Sequence, residues 1–348
     1  MTDTLTDPRL TSLAHGGGCG CKLAPNVLAD ILSEMPLSLG HSDLIVDAGK
    51  SDDAAVYRVN ATTALVATTD FFTPIVDDPH TFGRIAATNA LSDVFAMGAK
   101  PVFCLAIVGM PIGRIANETI RAILEGGRSV ADAAGAPIAG GHSIDAAEPI
   151  YGLVALGIGH PDRLLLNSNA RAGDVLVLGK PLGIGIYSAA LKREILSPAE
   201  YEEMVASTTR LNTPGTDLSE MAGVHAATDV TGFGLLGHAS EMARGAGVRI
   251  VIEKSRVPVF DGARAHAEAG VKTGASGRNW ESVSHMVTGG MDAIETDILC
   301  DPQTSGGLLV SCSPDAVPSV LDVFARHGHA GAAIVGRVEA GAPGVQVE

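Results

Sequence analysis

Residues 81–110 read TFGRIAATNALSDVFAMGAKPVFCLAIVGM, and this stretch sets the architecture of the first half of the chain. Its first part, Thr81 to Met97, predicts a helix, and its last part, Pro101 to Met110, predicts a strand because it is a continuous apolar run. Most sides of the helix are apolar, so we expect it to be buried. A buried helix followed by a buried strand is typical of an α/β domain.

Strands and helices alternate on both sides of this stretch. In the first half we predict strands at 54–59, 64–69 and 149–159 and a helix at 117–134. In the second half we predict strands at 175–179, 226–229, 248–252, 308–311 and 333–338 and helices at 198–211, 216–223, 235–245 and 315–327. The pattern loosens between 160 and 174, which places a boundary there. We therefore expect an N-terminal segment at 1–50, an α/β domain at 51–165 and an α+β domain at 166–348.

Composition narrows the class of protein. The 348 residues carry a net charge of −15, and 46% are hydrophobic but only 4% aromatic, which predicts an aliphatic, alanine-rich core. The acidic balance argues against a nucleic-acid or anionic-membrane binder. The longest apolar run is too short to span a bilayer and no leader is recognisable, so we expect a cytoplasmic protein. Five cysteines in no paired pattern favour free thiols over disulfides.

Acidic residues next to apolar segments suggest a cation site. Asn89 and Asp93 share one face of the predicted helix, and a buried carboxylate there must be paired or bind a metal. A salt bridge or a hydrogen-bonded core aspartate explains this helix equally well. Asp53 precedes one predicted strand, Asp70 follows another, and Asp229 ends a third. Several acids with few nearby cations favour Mg²⁺, whose ligands are hard oxygens.

Glycine is the compositional outlier, and its clusters suggest loops that approach a polyanion. Residues 15–22 read HGGGCGCK, which predicts a mobile loop that presents Cys19 and Lys22. The neighbouring cation would favour the thiolate of Cys19. In isolation, a disordered tail with incidental cysteines explains this segment too. The stretch 140–143, GGHS, could line a phosphate or ribose pocket. No Walker loop and no protein kinase signature is present.

Eight motifs together resemble the selenophosphate synthetase family, also called selenide, water dikinases, of the aminoimidazole ribotide synthetase-like superfamily. They are HGGGCGCK, SDDAAVY, TTDFFTPIVDDP, FGRIAATNALSDVFAMGAKP, AGGHSID, KPLGIG, ATDVTGFGLLGHASEM and CDPQTSGGLL. The resemblance implies a two-domain fold in a homodimer, with N-terminal strands joined into a shared barrel. It also implies that ATP, selenide and water give selenophosphate, AMP and phosphate, which supplies selenium for selenocysteine and selenium-modified tRNA. Many members have selenocysteine where this chain has Cys19.

The resemblance also implies roles for individual residues. Cys19 and Lys22 would be the catalytic pair of the loop. The metal ligands for Mg²⁺ would be Asp53, Asp93 and Asp229. The nucleotide-binding positions would be Lys22, Lys50, Ser51, Asp52, Asp70, Asp93, Gly141, His142 and Ser143. It leaves open whether a monovalent cation or a selenium-delivery protein takes part, and it implies no direct contact with nucleic acid or membrane.

Three other functions are compatible with parts of the sequence. A related synthetase or a thiamine-phosphate kinase would share the ATP site but would have no use for the GCGCK loop. A non-catalytic nucleotide or selenium carrier would form no AMP. A thiol redox protein acting through Cys19 and Cys21 would leave the aspartates unexplained.

Overall fold

The computed structural model describes residues 7–22, 27, 30–31, 41–47 and 52–348. The strands up to residue 159 form one mixed sheet, here the N-terminal sheet, in the order β1-β2-β3-β6-β4-β5. These strands are β1 Leu44–Val46, β2 Ala55–Arg58, β3 Ala64–Phe72, β4 Lys100–Met110, β5 Ile138–Asp145 and β6 Ile150–Gly159. Helices α1 Pro79–Ala96 and α2 Asn117–Ala133 of this half pack together, and α1 also packs on β6.

The remaining strands form the C-terminal sheet in the order β10-β13-β9-β12-β7-β11-β8. They are β7 Val175–Leu178, β8 Val224–Asp229, β9 Arg249–Ile252, β10 Val287–Gly289, β11 Leu308–Cys312, β12 Ala333–Glu339 and β13 Gly344–Val347. The helices of this half are α3 Ile184–Lys192, α4 Pro198–Thr208, α5 Pro214–Leu218, α6 Gly234–Ala246, α7 Asp261–Glu268, α8 Gly274–Val283, α9 Ala293–Leu299 and α10 Val317–Arg326. The two-sheet, mixed α/β architecture agrees with the fold class that the sequence predicts.

Helix α1 is the central element of the first half, and its position follows from its sequence. The Asp78 side chain accepts a hydrogen bond from the backbone of Thr81 at 2.7 Å, and Pro79 begins the helix, two residues before the predicted start. Of its 18 residues, 13 are buried, as expected for a helix that is apolar on most sides. Gly83 lets α1 approach the backbone of α2, since a Cβ there would collide with the carbonyl of Ile123.

The structure corrects two local expectations that concern candidate site residues. Gly141, His142 and Ser143 lie within β5, on an exposed edge strand, rather than in a loop. Asp70 lies inside β3, which continues through Phe72, rather than after the end of the strand. In both cases strand pairing extends the element beyond its most apolar residues: β4 pairs with β5 up to Asp145, and β6 pairs with β3 up to Phe72.

The face of the N-terminal sheet that points away from α1 carries exposed apolar side chains. Phe71 is 47% exposed, Phe103 37% and Ile158 46%, and they lie on neighbouring strands. Strand alternation places Tyr151 and Leu153 on the opposite, buried face of β6. Within the described ranges, no helix combines the length and apolar character needed to cross a membrane.

Candidate active site

The glycine-rich loop is docked on the protein between the two halves of the chain. Residues Gly18–Cys21 form a 3-10 turn. On one side, the backbone N–H of Gly18 donates to the carbonyl of Thr73 at 3.0 Å. On the other side, the hydroxyl of Thr304 accepts from the backbone N–H of Cys19 at 3.1 Å. The loop therefore contacts β3 and the segment before β11 at once.

Cys19 is buried, with 1% of its surface exposed. Its thiol donates to Oδ1 of Asn89 at 3.1 Å. Burial raises the pKa of the Cys19 thiol well above its usual value, by more than the charge of Lys22 lowers it. The expectation that the neighbouring cation favours the thiolate is therefore wrong for this docked arrangement. Desolvation outweighs the Coulombic attraction, and the thiol is held protonated at neutral pH.

Lys22 and Asp70 form an ion pair next to the thiol. The Lys22 ammonium lies 3.0 Å from Oδ1 of Asp70, and 35% of its side chain is exposed. Burial is the largest single effect and lowers the pKa of Lys22, but the charge of Asp70 together with the other neighbouring groups outweighs it and holds this pKa above its ordinary range. The side-chain amide of Asn89 donates to the other oxygen of Asp70. Asn89 thus connects Cys19 to the Lys22–Asp70 pair.

Three further carboxylates, those of Asp53, Asp93 and Asp229, lie close enough for their charges to interact. They come from the segment before β2, from α1 and from the end of β8. Burial, followed by the charge of Asp229, raises the pKa of Asp53 and of Asp93 well above the usual value. Burial also raises the pKa of Asp229, although a hydrogen bond from Ser92 opposes it. Such carboxylates require a compensating charge in order to be ionised together.

The donor atoms of this cluster fit a hard cation such as Mg²⁺. Oδ2 of Asp53 and Oδ2 of Asp229 are buried and, among the described residues, accept no hydrogen bond. Oδ1 of Asp53 accepts from the hydroxyl of Thr228 at 2.7 Å, and Thr68 donates to Asp93. In the described part of the chain, no three His, Cys, Asp or Glu side chains already stand close enough to hold a metal ion. Mg²⁺ characteristically keeps waters and substrate phosphate oxygens among its ligands. A site in which the protein supplies only some of the ligands is therefore compatible with Mg²⁺.

The candidate nucleotide-binding residues fall into three groups. Lys22, Asp70 and Asp93 belong to the cluster described above, and the Asp52 carboxylate next to it accepts from the backbone N–H of Asn167 at 3.3 Å. Lys50 and Ser51 lie outside the described residues.

The third group, residues 141–143, lies apart from the carboxylates. Gly141, His142 and Ser143 line a separate cavity of about 350 Å³ at the sheet edge. Within one chain, residues 141–143 therefore do not lie beside the carboxylates of Asp53, Asp93 and Asp229.

Two residues that contact the glycine-rich loop are missing from the set implied by the sequence. Asn89 also accepts from the backbone N–H of Ser305 at 2.8 Å, so it contacts both halves of the chain. Thr304 holds the backbone of Cys19. Asn89 stands on the same helix face as Asp93, which was a usable signal. Thr304 was recognisable only as part of a motif, since nothing local indicates its contact with the loop.

Comparison with known proteins places this arrangement in a family. The family model described as AIR synthase related protein, N-terminal domain, matches residues 51–159, and the corresponding C-terminal domain model matches residues 171–348. A selenide, water dikinase from Pseudomonas straminea is 58% identical, over 98% of this chain and 96% of its own length. One from Burkholderia pseudomallei is also 58% identical, over 100% of both chains. One from Rhizobium meliloti is 52% identical over 98% of both chains.

Solved structures with the same fold are more distant in sequence. Thiamine-monophosphate kinase from Stenotrophomonas maltophilia has a TM-score of 0.64 at 20% identity, covering 94% of this chain and 97% of its own. The hydrogenase maturation protein HypE in complex with ATP has a TM-score of 0.65 at 21% identity, covering 98% and 94%. The similarity to these structures shows the fold alone. The sequence identities of 52–58% over the full chain show the family. The chain belongs to the selenide, water dikinase family, within the AIR synthase related proteins.

Proposed function

We propose that this protein makes selenophosphate from selenide, ATP and water and releases AMP and phosphate. The observation that carries the proposal is the docked loop, which brings Cys19 and Lys22 to a buried cluster of carboxylates drawn from both halves of the chain. Relatives of the AIR synthase type share the fold, and a reaction with a soft nucleophile gives a function to a thiol that is held beside Lys22 and the carboxylates. The identity to selenide, water dikinases over the whole chain supports the same assignment.

The residues of the site divide the chemical work. Lys22 is placed to neutralise charge on the transferring phosphoryl group once ATP separates it from Asp70. Asn89 orients the thiol of Cys19, and Cys19 lies where the selenide anion would be held, without a covalent bond, for the transfer. Hydrogen selenide is itself a strong nucleophile, so the first transfer needs no strong base. The closed loop excludes water until selenide is in place, which limits hydrolysis of ATP.

Asp53, Asp93 and Asp229 are the residues that would hold Mg²⁺. When bound, Mg²⁺ would neutralise the phosphate oxygens and the carboxylates together. Oδ2 of Asp53 and Oδ2 of Asp229, which accept no hydrogen bond from any described residue, support this role, because a buried carboxylate oxygen without a donor is costly unless a cation binds it.

We further propose that two copies of the chain associate through the N-terminal sheets. The exposed side chains of Phe71, Phe103 and Ile158 support this, because an apolar sheet face of this kind is typical of an interaction surface. Gly141 to Ser143 lie on β5, the edge strand of the same sheet. Association of two copies through this sheet would allow these residues of one copy to contact the nucleotide bound by the other. We place the protein in the cytoplasm, where its five free thiols are stable.

Analysis of the nucleotide products tests the proposed function. The protein is incubated anaerobically with ATP and Mg²⁺, with and without selenide, and AMP and ADP are separated by ion-exchange chromatography. We expect AMP to accumulate with selenide and to stay near background without it. ADP as the sole stable product would indicate a simple kinase and would exclude the dikinase reaction.

A further inference from the structure

A cavity of about 440 Å³ lies on the far side of the glycine-rich loop from the carboxylates. The loop supplies His15, Gly16, Gly17, Gly20 and Cys21 to its wall, whereas Cys19 and Lys22 are not part of its lining. The opposite wall consists of the end of α3 and the beginning of α8. We call it the basic cavity because its wall carries four cationic side chains, those of Lys192, Arg193, Lys272 and Arg278.

The positive charge of the basic cavity is only partly neutralised. Lys272 pairs with Asp297 at 2.9 Å. Lys192 and Arg278 donate to backbone carbonyls of the N-terminal segment, at 3.3 and 3.4 Å, and neither forms an ion pair with a carboxylate in the part of the chain that the structure describes. Arg193 makes no ion pair with any residue that the structure describes. A net positive field therefore remains at the cavity, next to the half-buried thiol of Cys21.

The two sides of the loop differ in sign. The inner side carries the carboxylates of Asp70, Asp93 and Asp229, and Lys22 is paired with Asp70 there. The outer side faces the basic cavity. Hydrogen selenide is a monoanion at neutral pH, so its approach is favoured from the cationic side, where a local field raises its concentration. ATP and Mg²⁺ would occupy the acidic side, which leaves the outer route free.

We propose that the basic cavity binds hydrogen selenide and delivers it to Cys19 past Gly20 and Cys21. This inference rests on the proposed function for the identity of the anion. The cavity is a substrate-entry site distinct from the nucleotide site, and its selectivity is electrostatic. Arg193 is the residue that tests it, because it lines the cavity and its side chain makes no ion pair or hydrogen bond with any described residue.

Steady-state kinetics with Arg193→Glu measure the contribution of the charge. We expect KM for selenide to rise about fivefold while KM for ATP and kcat at saturating selenide stay close to wild type, because the change alters the field at the entrance alone. Arg244→Glu is the matched control. Arg244 is also an exposed arginine at the end of a helix without an ion pair among the described residues, and it lines no part of the cavity. Two results would overturn the proposal. One is an equal KM for selenide in the two variants, and the other is a change in kcat alone, which would place the effect of Arg193 on a later step such as product release.

Alkylation of Cys21 measures the electrostatic field of the basic cavity without requiring the enzyme to turn over substrate. Of the five cysteines, Cys21 is the one that is not buried, so peptide mapping reports on the cavity. The ratio of the rates with anionic iodoacetate and neutral iodoacetamide should fall several-fold in Arg193→Glu and stay constant in Arg244→Glu. A constant ratio in both variants would contradict an anion site. If the wild-type protein formed no selenophosphate but the ratio fell, the anion site would stand and the proposed function would fail.

Discussion

Asn89 is the residue that joins the parts of the site. Its amide contacts Cys19, Asp70 and the backbone of Ser305, so one side chain fixes the thiol, the partner of Lys22 and the segment before β11. The amide supplies both a donor and an acceptor, and these contacts need both. An aspartate or a leucine of similar size lacks one or both functions.

The two loop cysteines should respond differently to serine. Cys19→Ser removes the buried thiol against Asn89, so we expect loss of selenide-dependent AMP formation with ATP binding retained. Cys21→Ser is the matched control, and it should retain most of the wild-type activity because Cys21 lies on the outer face of the loop. Selenophosphate production and ATP affinity are measured in parallel. A dead Cys21→Ser with an active Cys19→Ser would mean that the roles are assigned to the wrong thiol.

Lys22→Ala should lose transition-state stabilisation rather than stability. An ammonium preorganised beside Asp70 is worth ~3 kcal/mol or more to a transferring phosphoryl group, which corresponds to a loss of about two orders of magnitude in kcat. Lys22→Arg should also be impaired, because a planar guanidinium does not fit the place of a compact ammonium. Single-turnover rates with saturating ATP measure the effect. A kcat within twofold of wild type in Lys22→Ala would contradict this role.

At the scale of elements, the docking of the loop depends on space as well as on hydrogen bonds. Gly232, in the turn between β8 and α6, lies against the loop. A Cβ there would stand 2.9 Å from the carbonyl oxygen of Cys19 and 3.3 Å from Cδ of Lys22. The docked loop therefore requires glycine at position 232, because any larger residue there must displace the loop.

Gly232→Ala should open the loop without unfolding the protein. We expect faster alkylation of Cys19 and a loss of activity of at least about tenfold, because a small misplacement of the loop disturbs the geometry of the reaction. Gly331→Ala is the control, because a Cβ at Gly331 meets no atom within 4 Å. Thermal unfolding of both variants should match the wild type. Unchanged alkylation of Cys19 in Gly232→Ala would show that the loop docks elsewhere.

The sequence predicts the long, strongly patterned elements but not those stabilised from a distance. The apolar positions of α1 and β4 are enough to predict both elements. Helix α3 is missed because it begins among glycines and is stabilised by another segment, whose Asp301 carboxylate accepts from the backbone N–H of Gly185 at 2.9 Å. Gln303 accepts from the backbone N–H of Gly183 at 3.1 Å. The residues that cap this helix are more than a hundred positions away in sequence. The sequence around α3 therefore does not indicate where the helix begins.

The candidate site shows the same division. The types of its residues are recognisable in sequence, but the burial of Cys19 and the resulting rise of its pKa depend on how the loop packs against Asn89 and Thr304. The separation of Gly141 from the carboxylates depends on strand order in the sheet. Contacts of this kind are properties of the folded chain, so residue pattern alone does not predict them.

At the scale of the whole molecule, one buried histidine links stability to pH. Burial lowers the pKa of His329 to about 4, and its Nε2 donates to the carbonyl of Leu211 at 3.0 Å. The unfolded chain binds a proton with a pKa near 6.5. Because the folded pKa is the lower of the two, this contribution to stability is complete above about pH 6.5 and is lost as the pH falls towards 4.

His329→Gln tests this linkage, since glutamine keeps a donor but does not titrate. At pH 7.5 we expect the variant to be less stable than the wild type because it loses the packing of the ring against Phe324. At pH 5 the difference in free energy of unfolding should be smaller by about 1–2 kcal/mol. Urea denaturation at the two pH values measures it. A difference that does not change with pH would contradict a neutral, buried His329.

In the proposed reaction, one site built from the loop and both halves of the chain forms a bond between phosphorus and selenium. Phosphorus NMR with ⁷⁷Se-enriched selenide, ATP and Mg²⁺ tests it most directly. The wild-type protein should give a phosphorus resonance split by one-bond coupling to selenium, together with AMP and phosphate. Asp229→Asn, which changes a carboxylate from the second half of the chain, should give none of them while remaining folded. A wild-type sample that consumes ATP without a selenium-coupled resonance, or an Asp229→Asn variant with full activity, would contradict the claim.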